Sequence, residues 1–197
     1  MSRIAVVLSI LMLVVFTGCS KVPEIEMQAS QTAINAARTA EAEIYAPEAF
    51  QTAVDTMNAA MAAKQEQDSK FKLFRSYKDS KELLVRAKVL ADQAASMAAA
   101  EKARIIAEVT DLIASAQMAV DNANAALAGA PVGKGSRAEI ELMKSDLSFA
   151  ATALGEARAD FEAGMYEAAR TRAQAAIDKA NTVTGEIEAA IARKAGK

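Results

Sequence analysis

The chain has 197 residues, roughly a quarter of them alanine, with 8 Gly, 3 Pro, 1 Cys, no Trp and no His. Its 23 Lys and Arg stand against 25 Asp and Glu, a net charge of −2 that gives nucleic acid no electrostatic hold. Without His, and with a single Cys, the composition excludes zinc sites, Cys-His nucleophile pairs and Ser-His-Asp triads, so neither an enzyme nor a cofactor is expected. Alanine with many Glu, Lys, Gln, Met and Arg is a helix composition, and the β-branched residues are too few and scattered for strands. The expected fold is all-α: an elongated antiparallel bundle of long, Ala-rich, coiled-coil-like helices.

Arg3 precedes an apolar run, Ile4 to Phe16, that only Ser9 interrupts and that ends in Thr17-Gly18-Cys19. The run is too short to cross about 30 Å of hydrocarbon comfortably. Its ordering is that of an export signal, residues 1–18, with a small-residue cleavage site. Because the one Cys directly follows Thr-Gly, the segment resembles the lipobox of bacterial lipoproteins, although Phe16 stands where Leu is commonest in that family. The resemblance implies that Cys19 is acylated, becomes the new N-terminus and holds the protein to a membrane. It also implies sorting by the next residue: Ser20 is not the Asp associated with inner-membrane retention, which favours an outer-membrane lipoprotein facing the periplasm. One acyl chain binds a bilayer marginally, whereas the several chains of a lipoprotein anchor almost permanently. The other account of Cys19 is a free, buried thiol in an ordinary secreted protein.

Residues 19–23 form a short tether. A first helix is expected from Pro23 or Glu24, with Glu24 and Glu26 at the positive end of its dipole and a seam through Ile25, Ala29, Ala33, Ala36, Ala40 and Ile44. It should end or bend at Tyr45-Ala46-Pro47, because Pro47 disfavours helical geometry at Ala46. A second helix from Pro47 into the sixties would bury Phe50, Val54, Met57 and Met61, with a turn at Gln65 to Ser69.

From Phe71 or Tyr77 to Ala128 there is neither Pro nor Gly. If unbroken, roughly 50 residues at about 1.5 Å each make a rod some 75 Å long. Its seam reads Leu83, Ala87, Leu90, Ala94 and Met97, then Ile105, Val109, Leu112, Ala116, Ala119, Ala123 and Ala126, with a register change across Ala98 to Lys102. Residues 129–136, with three Gly and one Pro, are a loop, and Ser136 with Glu139 completes a capping box. The next helix repeats Ile140, Met143, Leu147, Ala150, Leu154, Ala157 and Phe161, and Gly164 ends it. The last repeats Tyr166, Ala169, Ala173, Ala176, Ala180, Val183, Ile187 and Ala190. The implied organisation is a helical domain over 24–128 and, after the loop, a helical hairpin over 137–197 packed on the long helix.

Tyr77, Lys81, Ala87 and Ala91 are spaced as Tyr166, Arg170, Ala176 and Ala180 are, which suggests a duplicated helical-hairpin unit. Gly164, Tyr166, Ala169, Ala173, Ala176 and Ile177 also resemble the latter half of a tetratricopeptide repeat, over about one helix-turn-helix. Over Ser20 to Lys102, the lipobox, the early Ala-x-x-Ala helix and the Tyr45-Ala46-Pro47-Glu48 step into Phe50-x-x-Ala53 resemble an uncharacterised family of bacterial envelope lipoproteins. In that family a helical domain often precedes an OmpA-like peptidoglycan-binding domain; in this chain more helix takes the place of such a domain.

Lys64, Lys70, Lys72, Arg75, Lys78, Lys81, Arg86 and Lys88 form the densest basic stretch, opposed by Glu66, Asp68, Asp79 and Glu82. Phe71, Phe74 and Tyr77 interleave with them. Lys70, Lys72, Arg75 and Lys78 are therefore the candidate contact for an anionic surface, either lipid headgroups or cell-wall polymer, while a solvated helix face accounts for the same residues more simply. Met57, Met61, Met97, Met118 and Met143 read as core filler, the alternative being a pliable partner surface. Gly133-Lys134-Gly135-Ser136 lacks the strand and spacing of a phosphate loop. The function expected is that of a membrane-anchored envelope lipoprotein serving as scaffold, spacer or adaptor for another envelope protein or a cell-wall component. The alternative is a carrier of a lipid or similar apolar ligand, which needs a cavity lined by bulky side chains.

Overall fold

The computed structural model describes residues 21–130 and 137–195. The signal segment, Cys19 and the Ser136 cap lie outside the described residues. Among the described residues there are six α-helices and no strand. They are α1 (Glu24–Thr39), α2 (Ala42–Tyr45), α3 (Pro47–Ser69), α4 (Lys78–Ala128), α5 (Arg137–Glu162) and α6 (Tyr166–Ala195). None is long and apolar enough to cross a membrane.

The chain divides into two compact units between Lys102 and Ala103. That point falls inside α4, whereas sequence alone places the partition at the loop 129–136. The reason lies in the cores. Leu84, Ala87, Ala91, Ala94 and Ala98 of α4 belong to one apolar cluster with α1, α2 and α3, while Ala116, Val120 and Ala123 belong to a second with α5 and α6.

In the first unit, Ser30 of α1 meets Met57 of α3, and Ser80 of α4 donates to the Ala60 carbonyl of α3 at 2.9 Å. Lys81 and Lys102 of α4 pair with Glu26 and Glu41 at the two ends of α1. With Arg38 of α1 lying 5.6 Å from the Phe50 ring centre of α3, these contacts fix α1 and α4 as parallel and α3 as antiparallel to both. Position 47 allows the reversal: Ala46 takes a non-helical φ of −146° and ψ of 53°, as a residue before proline must, and Pro47 opens α3 where no N–H is needed. The break begins earlier than Pro47 requires. α1 stops at Thr39, Glu41 adopts a left-handed conformation (φ 59°, ψ 33°), and α2 is a single turn. A left-handed non-glycine residue costs roughly 1–2 kcal/mol. Here the carboxylate is held by Lys102, whose ammonium also lies 5.6 Å from the Tyr45 ring centre.

The second unit repeats the plan. Arg158 of α5 donates to Gln117 of α4 at 2.7 Å, Arg170 of α6 pairs with Glu108 of α4 at 3.0 Å, and Lys179 pairs with Asp146 across the α5–α6 hairpin. Gly164, at φ 77°, makes the turn that the hairpin needs, and Phe161 meets Tyr166 edge to face at 5.5 Å. The two units share a burial pattern: Ser80, Leu84, Ala87, Ala91, Ala94 and Ala98 have the spacing of Ala169, Ala173, Ala176, Ala180, Val183 and Ile187, and all are essentially unexposed.

The seams of α5 and α6 follow the expected registers closely, with Ile140, Phe161, Tyr166 and Ala190 half-buried at their ends. α1 does not. Ile25, and Ile44 of α2, are 81% and 69% exposed; Ala33 is buried as expected, but Ser30, Ile34 and Ala37 face inward beside it. Alanine occurs on several faces of α1, so its spacing does not select one; Ile34, the larger residue, does. In α3, Ala53 and Ala60 take the places expected for Val54 and Met61. In α4, Leu84, Ala91 and Ala98 replace Leu83, Leu90 and Met97 at the centre of the seam, and Ala98 leads to Ile105 in one heptad without a register change. Met57 and Met143 are core residues, whereas Met61, Met97 and Met118 are exposed.

Close alanine packing leaves no room for a larger residue. Ala176→Leu, at a fully buried methyl, should cost about 1–3 kcal/mol in a denaturant melt, whereas Ala175→Leu on the exposed face should change stability by no more than about 0.5 kcal/mol.

Candidate functional site

The four candidate cations sit on the connection between α3 and α4, residues 70–77, and on the first residue of α4. Sequence alone puts the turn at Gln65 to Ser69, yet α3 continues through Ser69. Gln65, Glu66 and Gln67 are adequate helix formers. The last turns also gain i,i+4 pairs from Lys64 to Asp68 at 2.7 Å and from Lys70 to Glu66 at 2.9 Å.

The chain then becomes extended at Lys70 and Phe71, makes one 3-10 turn over Lys72–Phe74, and is extended again at Arg75. A polar network fixes the base of this turn. Arg75 donates to the carbonyl oxygens of Asp68 (2.7 Å) and Lys70 (2.9 Å), satisfying acceptors that the end of α3 leaves open. The Ser76 N–H donates to Gln67 Oε1 at 3.1 Å. Tyr77, buried, donates its hydroxyl to Asp68 Oδ1 at 2.5 Å.

Asp68 thus accepts from Lys64 on one side and Tyr77 on the other, and these two hydrogen bonds hold its carboxyl below the ordinary carboxylate range. The same contacts act reciprocally, the Asp68 hydrogen bond raising both Lys64 and Tyr77. Glu26, at the start of α1, is likewise lowered by its hydrogen bond from Lys81.

The four cations therefore differ in role. Arg75 caps α3. Lys70 and Lys78 pair weakly along their own helices, Lys78 with Glu82 at 3.9 Å. Lys72 is exposed on the 3-10 turn. Among the flanking cations, Lys64, Lys81 and Lys88 are paired with Asp68, Glu26 and Asp92. Of the three aromatic residues that sequence places among the cations, Tyr77 turns inward, whereas Phe71 and Phe74 join Leu73, which sequence does not single out, in an apolar tip: Phe71, Leu73 and Phe74 are 70%, 72% and 76% exposed, with the two phenyl rings 6.5 Å apart. The signal was present in Phe-Lys-Leu-Phe, an apolar cluster lying between two helices and belonging to the seam of neither.

Elsewhere, no group of three or more acidic or thiol side chains suited to a metal occurs among the described residues. The seams fill with alanine methyls, and surface depressions such as that of about 470 Å³ lined by Glu108, Leu112, Arg170, Thr171, Gln174 and Asp178 are open and partly polar.

The depressed Asp68 and Glu26 carboxyls contribute stability that is complete above their unfolded values near 4 and is lost as pH falls through the lower folded values. Asp68→Asn should therefore weaken the acid dependence of unfolding between about pH 5 and pH 2, read as a smaller change in the denaturation midpoint. Arg75→Ala should cost about 1 kcal/mol at neutral pH, because the carbonyls of Asp68 and Lys70 lose their donor; a chemical melt reads it. No protein-family model matches the chain, and neither does any curated protein or solved structure.

Proposed function

We infer that this chain is a lipid-anchored protein of the bacterial cell envelope, held by an acylated Cys19 and acting without catalysis as a scaffold, spacer or adaptor. The observation that carries this reading is the order of the N-terminal segment: Arg3, the apolar run from Ile4 to Phe16, then Thr17-Gly18-Cys19. The helical body is compatible with it. Two alanine-seamed helical units offer large exposed faces and rigid packing, which suit binding and spacing more than turnover. Ser20 after the Cys favours the periplasmic face of the outer membrane, and the partner is another envelope protein or the cell wall.

The carrier reading has less support, since the seams are closely packed alanine and the depression lined by Glu108, Leu112 and Arg170 is open and partly polar.

Cys19→Ser removes the acyl acceptor. Labelled palmitate should enter the wild-type chain and fail to enter the variant, which should also leave the detergent-rich phase on partition. Equal labelling of the two would defeat the reading.

A further inference from the structure

Turn 70–77 spends eight residues on a reversal that the second unit completes with three, 163–165. The fold does not require its tip. Phe71, Leu73 and Phe74 stand more than two-thirds exposed, and the base is closed without them by Arg75, Ser76 and Tyr77. Single exposed apolar residues are ordinary, but three together on a protruding turn mark a contact.

Two observations say what the contact is with. The first is charge. Residues 70–78 hold Lys70, Lys72, Arg75 and Lys78 and no carboxylate; Lys70 and Lys78 have exposed partners in Glu66 and Glu82, and the turn itself carries only positive charge, with three of its cations exposed. The second is place. Glu26, in the first turn of α1, pairs at 2.7 Å with Lys81, in the first turn of α4, so the start of α1 and the 70–77 turn lie at one end of the first unit. Val22 and Ile25 at that end are also exposed. Cys19 precedes the first described residue, Lys21, by two residues, a reach of at most about 7 Å.

We propose that turn 70–77 is a second membrane contact, in which Phe71, Leu73 and Phe74 enter the interface of an anionic bilayer and Lys70, Lys72 and Lys78 meet its headgroups. The proposal rests on the lipid-anchor reading of Cys19. Three side chains bind a bilayer weakly by themselves. Once the acyl chains are inserted, the turn is confined beside the surface at an effective concentration of order millimolar, so a weak contact is occupied. The pair of attachments then fixes which end of the first unit faces the lipid.

The chain has no Trp, so Phe74→Trp supplies a unique fluorophore at an exposed position. Full-length acylated protein carrying it is mixed with phosphatidylglycerol–phosphatidylethanolamine vesicles. Its emission should move to shorter wavelength and be quenched by bromine placed on the upper acyl chain. Val89→Trp, exposed on α4 of the same unit and about 16 Å along the helix from Lys78, should keep the emission of an indole in water. Adding Lys70→Gln and Lys72→Gln should lower the ratio of inserted to free tip about fivefold for each cation removed. An unshifted, unquenched Phe74→Trp in protein that sediments with the vesicles overturns the proposal, as does a shift seen on purified cell wall and not on vesicles. The mass of the N-terminal peptide reports acylation separately. Acylated Cys19 with an unquenched indole removes the second contact and keeps the anchor; unacylated chain with a quenched indole does the reverse.

Discussion

Where alanine occupies successive inward positions of a helix, the neighbouring backbone advances until methyl meets methyl. Both units are organised by that contact. Ala37, Ala42, Ala53 and Ala60 meet Ala87, Ala91 and Ala94 in the first, and Ala116, Ala123, Ala150 and Ala157 meet Ala173, Ala176 and Ala180 in the second, all with no exposed surface. Helices can then pack at the short end of the usual interaxial range. Each methyl contributes only about 0.8 kcal/mol on burial, so no single residue dominates, and the few larger side chains set which face turns inward. Phe50, Leu84, Leu147 and Ile187 do this on α3, α4, α5 and α6.

Such a core constrains everything placed upon it. It has little volume to redistribute, and polar groups at its edge are matched individually: Ser80 to the Ala60 carbonyl, Lys81 to Glu26, Arg170 to Glu108. The last two are the same device used twice, a cation in the first turns of the third helix joined to an acid on the first helix. Exposed pairs of this kind add little stability. Their value lies in register, because a one-residue slip along an alanine seam would otherwise cost little.

The sequence makes this fold legible to unequal degrees. On α5 and α6 the larger residues Met143, Leu147, Leu154, Val183 and Ile187 share one stripe with the alanines, and spacing alone finds the buried face. On α1 alanine occurs on several faces, and Ile25 and Ile44, expected in the seam, turn outward because Glu41 breaks the helix and Ile34 claims the core. Composition cannot report a left-handed residue stabilised by a lysine 61 positions away. The α3–α4 connection is misplaced for a related reason: local propensity favours a turn in the polar stretch before Ser69, while the actual end is set by Arg75 reaching back to two carbonyls. The candidate cations were legible as a group. Their division into a cap, two helix-paired lysines and one on the tip was not, since it depends on which carbonyls and carboxylates the folded chain brings near.

The hydrogen bonds at the base of turn 70–77 divide neighbouring residues between two kinds of selection. Arg75, Tyr77 and Asp68 answer to the fold, because their partners are main-chain and side-chain atoms of the same unit. Phe71 to Phe74 lend their side chains to none of those bonds. A change in the first group is filtered by folding before any partner meets it; a change in the second passes that filter. The tip can therefore be altered on an unchanged frame, and the boundary between the two groups is a single peptide bond, Phe74 to Arg75.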